Sequence, residues 1–174
     1  MPRLVELRRH TDSDGDVLTD EGVAAALRIG AGLAGGYAVG VSTGAQRATQ
    51  TLACLLSGLG QRVPGGVLVE PGLRSGREDR WRDAYRRAGS GELVALRAAD
   101  PALVDEEAAT LGAALGRVLE RVGEGERALV VGHSPTNEAA VFGLTGRMVA
   151  ALGKGEGVLL VADGDQFRIE PLDA

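Results

Sequence analysis

Short apolar runs recur along this chain, separated by longer stretches in which apolar residues return every three or four positions. The runs at residues 4–7, 37–41, 67–69, 128–131, 158–161 and 167–169 read as strands. They are nearly continuous in apolar character rather than alternating, as in a sheet covered on both faces. Helical patterns lie between most of them. The first covers 19–33 and places Val23, Ala26, Leu27, Gly30 and Leu33 on one face; Thr19 can cap it, and Asp20 and Glu21 suit its first turn. The second begins at "STGAQRATQTLACLL", where Thr43 and Gln46 have the spacing of a capping box. Two more cover 77–88 and 105–122. A fifth begins at "SPTNEAAVFGL", where Ser134 can cap and Pro135 suits the first helical position.

Strand alternating with helix predicts an α/β fold, a three-layer sandwich with a mostly parallel central sheet and helices on both faces. Only Gly164 and Asp165 separate the last two strands, which predicts an antiparallel hairpin at the C-terminal edge. Residues 64–100 break the rhythm, are rich in Gly and Arg, and read as an insertion over the sheet within a single domain spanning 1–174. Within it, Trp81 and Tyr85 stand four positions apart and can pack their helix down.

Composition narrows this picture. Aromatics make up 3% of the chain, so the core must be built from Leu, Val and Ala. The formal net charge is -5 and the basic residues are dispersed outside 74–87, which argues against a nucleic-acid partner held by bulk electrostatics. No apolar run approaches membrane-spanning length, and the N-terminus lacks the basic-then-apolar pattern of a signal peptide. A cytoplasmic protein without a membrane partner is the expectation. The single cysteine, Cys54, excludes an internal disulfide and reads as a core thiol among leucines.

In a sheet of this kind ligands bind at the carboxyl ends of the strands. The first strand ends in Arg9-His10-Thr11, the second in Ser42-Thr43 leading to Arg47, and the fourth in Gly132-His133-Ser134. The chain has only two histidines, and both are in this set. Arg47 falls in the first turn of its helix, where a cation opposes the dipole unless an anion lies between them. Two arginines, two histidines and helix N-termini at one end of a sheet make a phosphate-sized pocket. A neutral imidazole there can attack phosphorus and carry the phosphoryl group, and neighbouring arginines help to keep it neutral. Positive charge placed against the negative equatorial oxygens does most of the remaining work, so arginines can stand where other enzymes use a metal. Strand alternation points Arg8 away from Arg9 and makes it a solvated or structural charge.

These segments carry a resemblance. "LVELRRHTD", with "LTDEG" shortly after, resembles the opening Arg-His-Gly motif of the histidine phosphatase superfamily, the phosphoglycerate-mutase-like proteins. "STGAQRATQTLACL" is similar to that family's second motif, and "ALVVGHSPTNEAAVFGLTG" to its third, a strand ending in Gly-His. The order matches across most of the chain. The resemblance implies that His10 is the phosphorylated nucleophile, that Arg9 and Arg47 hold phosphate oxygens, and that His133 is the second phosphate-contacting histidine. It adds a contact from the Ser134 backbone N–H, and implies no metal and no cofactor. Thr11 replaces the usual Gly after the first histidine; its side chain alters a tight turn or adds a hydroxyl contact to the phosphate. The family's proton donor is a carboxylate after the second motif, often within Leu-x-Glu. "LVEPGLRSGREDRW" offers Glu70 first, with Glu78 or Asp79 as alternatives; if Leu73-Arg74-Ser75 is the true match, Ser75 takes the acid's place.

The implied activity is a phosphatase acting on a phosphorylated small molecule or a phosphoprotein, since the length and the "GHSPTNEA" segment resemble the short bacterial phosphohistidine phosphatases. A modest covering segment speaks against a mutase, which must shield a doubly phosphorylated intermediate from water. The rival reading is a phosphate-binding module with poor turnover. Asp12, Asp14 and Asp16 open like a calcium loop, but Val17 and Val23 stand where that loop needs Gly and Glu. They read instead as a flexible acidic loop near the pocket mouth that biases against highly anionic substrates. Arg74, Arg77, Arg80, Arg82, Arg86 and Arg87 read as a solvated helix face, or as contacts to the non-phosphate part of a substrate.

Overall fold

The computed structural model describes residues 1–174. Its elements in chain order are β1 (Arg3–Arg9), β2 (Ser13–Asp14), β3 (Val17–Leu18), α1 (Asp20–Ala31), β4 (Tyr37–Ser42), α2 (Gln46–Leu59), β5 (Val67–Val69), α3 (Glu78–Ala88), α4 (Leu93–Ala99), α5 (Pro101–Glu120), β6 (Arg127–Gly132), α6 (Thr136–Thr145), β7 (Gly157–Asp163) and β8 (Gln166–Leu172). A 3-10 turn at Pro71–Leu73 follows β5. All six expected strands form, and they make one sheet in the order β5-β4-β6-β1-β7-β8. β5, β4, β6 and β1 run parallel; β7 is antiparallel to both β1 and β8, which makes the expected C-terminal hairpin.

Alternation along each strand divides the core into two. Val5, Leu7 and Val130 face a large cluster under α3, α4, α5 and α6, whereas Leu129 and Val131 face a smaller one under α1 and α2. Each leucine buried here, such as Leu111 or Leu115, contributes about 1.5–3 kcal/mol relative to exposure. On the α1–α2 side β1 presents charge rather than apolar surface. Arg8 is buried and donates through Nε to Glu6 at 2.7 Å and through Nη1 to the carbonyls of Gly155 and Asp173 at 2.8 Å each. The Tyr37 hydroxyl donates to the other Glu6 oxygen at 2.6 Å. Arg8 is therefore a structural charge, satisfied on both sides as a buried ion must be.

The helices depart from the expectation at several ends. Thr19 caps α1 as expected, accepting from Gly22 N at 3.0 Å. The buried face of α1 is Gly22, Ala26, Ile29 and Gly30, while Leu27 is exposed. The reason is close approach to α2: a Cβ at Gly30 would overlap the carbonyl of Leu55. Cys54 is only half-buried. Thr43 does not cap α2, whose N-cap position is Ala45 without a side-chain bond. Ser134 and Pro135 precede α6 rather than opening it; Pro135 is the N-cap residue. α5 begins at Pro101, not at 105, because Asp100 accepts from Leu103 N and Pro101 suits the first turn. Residues 64–100 supply β5 to the sheet edge, and then α3 and the unexpected α4 over it.

The α5–α6 contact seats the segment that begins at His133. Gly112 and Gly143 let the two helices touch, and a Cβ at Gly143 would overlap the carbonyl oxygen of Ala108. Gly143→Ala is expected to cost about 1–3 kcal/mol in urea denaturation through overpacking. Gly116→Ala, where a Cβ meets only Leu144 Cδ1 at 3.7 Å, should leave stability unchanged or raise it.

Candidate active site

The parallel register brings the three strand ends to one edge of the sheet. Arg9 of β1 lies opposite Gly132 of β6, and Ser42 of β4 lies opposite Val131. His10 N continues the ladder by donating to Gly132 O at 3.0 Å. Asn137, in the first turn of α6, donates through Nδ2 to Arg8 O at 3.0 Å and ties that helix to the end of β1. His10 and His133 therefore leave the sheet side by side. Their rings meet edge to face with centroids 5.3 Å apart.

Both rings are held neutral. His10 Nδ1 lies 2.8 Å from the carbonyl of Thr11. A carbonyl only accepts, so Nδ1 carries the proton and Nε2 keeps its lone pair. Burial depresses the His10 pKa to about 4 against the help of that bond, with Lys154, Arg47 and Arg9 pushing the same way as burial. Burial likewise takes His133 to about 3, with Arg47, His10 and Arg74 adding to it. His133 Nε2 is 2.8 Å from Thr43 Oγ1, and its buried Nδ1 has no partner within the protein.

The two arginines are held differently. Arg9 donates through Nη1 to the carbonyl of Leu152 at 2.7 Å, while its buried Nε has no acceptor within the protein. Arg47 donates through Nη1 to Asp16 at 2.9 Å. The Asp16 carboxylate also accepts from the backbone N–H groups of Gln46 and Arg47, at 3.1 and 3.2 Å. It thus caps α2 and is the anion that a cation in that first turn requires. Burial pushes the Asp16 pKa up, but those N–H groups and the guanidinium outweigh it and hold the pKa below its ordinary value. The acidic loop is the β2–β3 hairpin, fastened to Arg47 through Asp16.

Arg9, Arg47, His133 and Ser134 line one cavity of about 670 Å³, together with Arg74, Ser75, Glu78, Trp81, Arg82 and Tyr85; His10, buried beside His133, is not among the residues on its wall. Of the arginines on and before α3, Arg74 and Arg82 reach this wall, while Arg77, Arg80, Arg86 and Arg87 form ion pairs outside it. Trp81 is buried and donates to Glu107 at 3.2 Å, so it does pack α3 down; Tyr85 is exposed. Thr11 is not brought to the cavity as a phosphate ligand. Its hydroxyl donates to Gly22 O at 2.8 Å, so its side chain serves the turn into α1. Glu70 is not brought there either. Its carboxylate accepts from Arg117 at 3.0 Å and from Gly72 N at 3.1 Å; the Arg117 bond, working against burial, lowers its pKa. Glu78 does stand on the wall, half-exposed and 3.5 Å from Arg74.

Sequence reasoning missed Lys154, which acts on His10 from the turn before β7, and the carbonyl of Leu152 beneath Arg9. It also missed Glu138, fully buried in the first turn of α6. An acidic residue immediately before the apolar run "AAVFGL" was the available signal.

The depressed histidines carry a signed consequence. In the unfolded chain each protonates near the ordinary 6.5, but in the folded chain only near 4 and 3. Their contribution to stability is complete above pH 6.5 and is lost as the pH falls through that window. Between pH 7 and pH 4.5 the wild type should lose about 5 kcal/mol more than the His10→Asn, His133→Asn double variant, measured by urea unfolding at both pH values. Parallel losses in the two proteins would refute the assignment.

No family model and no curated protein matches the sequence. Solved structures do match over almost the whole chain. A phosphoglycerate mutase from Bacillus anthracis is 17% identical, with a TM-score of 0.75 over 98% of this chain and 92% of that one. A phosphoserine phosphatase from Entamoeba histolytica, solved in complex with 3-phosphoglyceric acid, is 14% identical, with a TM-score of 0.73 over 99% and 98%. The protein histidine phosphatase SixA complexed with tungstate is 20% identical, with a TM-score of 0.61 over 97% and 96%. The fold of this chain is that of the phosphoglycerate-mutase-like proteins, the family its three motifs resemble.

Proposed function

We propose that this chain is a metal-independent phosphatase that hydrolyses a phosphomonoester or a phosphoprotein through a phosphohistidine on His10. The observation that carries this reading is the bond from His10 Nδ1 to the Thr11 carbonyl, which leaves Nε2 as a free nucleophile in a strongly cationic corner. Nε2 attacks phosphorus as the ester oxygen departs. Arg9 and Arg47 take the charge that gathers on the equatorial oxygens, with His133 and the Ser134 backbone N–H as further contacts. Water then attacks the phosphohistidine and frees inorganic phosphate. The likeness to a mutase, a phosphoserine phosphatase and a protein histidine phosphatase supports this class of chemistry and leaves the substrate open.

The cavity is far larger than a phosphate, and its outer wall of Arg74, Arg82, Trp81 and Tyr85 suits a substrate with a sizeable, partly anionic remainder. One observation favours the rival reading of a phosphate-binding module. Glu70 is committed to Arg117, and Ser75 stands on the wall where Leu-x-Glu would place an acid.

Hydrolysis of p-nitrophenyl phosphate should survive EDTA in the wild type and fall by more than about a thousandfold in His10→Ala. Intact-mass analysis of acid-free quenched enzyme should show one added phosphoryl group in the wild type alone. Activity abolished by EDTA, or unchanged in the variant, would refute the mechanism.

Asp16 holds Arg47 on an internal carboxylate, so an incoming oxyanion must compete with it. Asp16→Asn keeps an acceptor for the N–H groups of α2 but removes the charge. It is expected to tighten tungstate binding on the order of tenfold, equivalent to about 1.4 kcal/mol, by titration calorimetry. Unchanged affinity would reduce Asp16 to a helix cap.

A further inference from the structure

The departing oxygen needs a proton, and none of the three carboxylates expected from the sequence is well placed to give one: Asp79 is exposed and pairs with Arg82. Glu70 lies outside the cavity in its pair with Arg117. Glu78 is on the wall, but half-exposed and against Arg74. A fourth carboxyl group has so far had no role. Glu138 is 0% exposed, and its Oε2 has no partner within the protein. Its Oε1 accepts from Leu152 N at 2.8 Å and, when ionised, from the Ser134 hydroxyl at 2.5 Å; protonated on Oε1, it donates to Ser134 Oγ across the same distance. Ser134 is half-buried and lines the cavity beside His133, Arg9 and Arg47. A path of two oxygens therefore leads from a sealed carboxyl group to the cavity wall.

We propose that Ser134 delivers the proton to the leaving oxygen and that Glu138 resupplies it. This rests on the phosphatase reading above and deepens it. In the first step the bond from His10 Nε2 to phosphorus forms and the bond from phosphorus to the ester oxygen breaks. The Ser134 hydroxyl proton passes to that oxygen, and the Glu138 carboxyl proton passes to Ser134 Oγ. In the second step water attacks phosphorus and the phosphorus–nitrogen bond breaks. The proton of the attacking water passes to Ser134 Oγ, and the Ser134 proton returns to Glu138. The chain ends as it began, and the sum is ester plus water to alcohol plus phosphate.

The surroundings of Glu138 suit a proton store. Burial holds its pKa above the ordinary value, against the Leu152 N–H, the Ser134 hydroxyl and the distant charge of Arg9. Arg9 donates through Nη1 to the Leu152 carbonyl and forms no ion pair with Glu138. Leu152 joins the two, since its N–H reaches Glu138 and its carbonyl reaches Arg9. A purely structural Glu138 would anchor that turn and nothing more, so the test must separate anchoring from proton delivery.

Two esters of the same ring do so. p-Nitrophenol leaves readily without a proton, whereas phenol needs one. In kcat/KM, which reports the phosphorylation step, Glu138→Gln should lose at least about tenfold more on phenyl phosphate than on p-nitrophenyl phosphate. Glutamine keeps an acceptor for Leu152 N but has no proton to pass on. Ser134→Ala should show the same split while leaving the Glu138–Leu152 anchor intact, and it carries the test should Glu138→Gln fold poorly. Equal losses on the two esters, or a split that appears in Glu78→Gln instead, overturn the relay and leave the phosphatase reading standing. A wild type that hydrolyses neither ester overturns both.

Discussion

The parallel pairing of β1 with β6 is the constraint on which the rest of the molecule depends. It sets Arg9 opposite Gly132, so that the next residue of each strand is a histidine at the same edge of the sheet. α2, in the crossover from β4 to its parallel neighbour β5, and α6, which follows β6, both start at that edge. A slip of one residue would exchange the buried faces of β1, sending Leu7 toward α1 and α2 and Arg8 into the large apolar cluster. The buried bonds of Arg8 to Glu6 and to two distant carbonyls add polar cost to that slip. The register of the site is thus protected by charges on one face of β1 and by leucine and valine on the other.

Concentrating cations at one edge carries an energetic penalty that the fold meets in two ways. It keeps both histidines neutral by burial, so that they add no charge to Arg9, Arg47 and Lys154. It also gives the arginines internal acceptors: a carbonyl for Arg9 and a carboxylate for Arg47. Neither acceptor satisfies its guanidinium fully, and the buried Nε of Arg9 is left without one. A buried donor in that condition costs about 1–3 kcal/mol, which is recovered when an acceptor arrives. The rigidity of the strand ends keeps that cost from being relaxed away.

What the sequence revealed follows from how local each signal is. All six strands and the three clusters at their ends were legible, because an apolar run and the residues that close it are neighbours in the chain. α4 was not, because seven residues hold too little of a 3.6-residue period to stand out in a glycine-rich stretch. Partners distant in sequence were invisible. Asp16 is 31 positions from Arg47, and their bond turned an expected flexible loop into a fastened hairpin. Glu70 was the first candidate for the acid by its local string, yet Arg117 reaches it from 47 positions away. Thr43 had the spacing of a cap, but the ring of His133 offers it a partner that no spacing rule contains.

Binding at this edge is therefore an exchange of partners rather than the filling of a bare cationic pocket. A phosphoryl group that takes Arg47 must displace or share with Asp16, and one that takes Arg9 must share it with the Leu152 carbonyl. The two exchanges differ in kind. Asp16 belongs to a small hairpin at the surface and can yield with little disturbance, since β2 and β3 are two residues each. Leu152 is buried, and its N–H is bound to Glu138. Arg9 is accordingly the fixed reference of the site and Arg47 the adjustable one. A transition state that spreads charge over three oxygens draws on both, and the carboxylate held by Arg47 sets how much negative charge a ligand must carry before it is preferred.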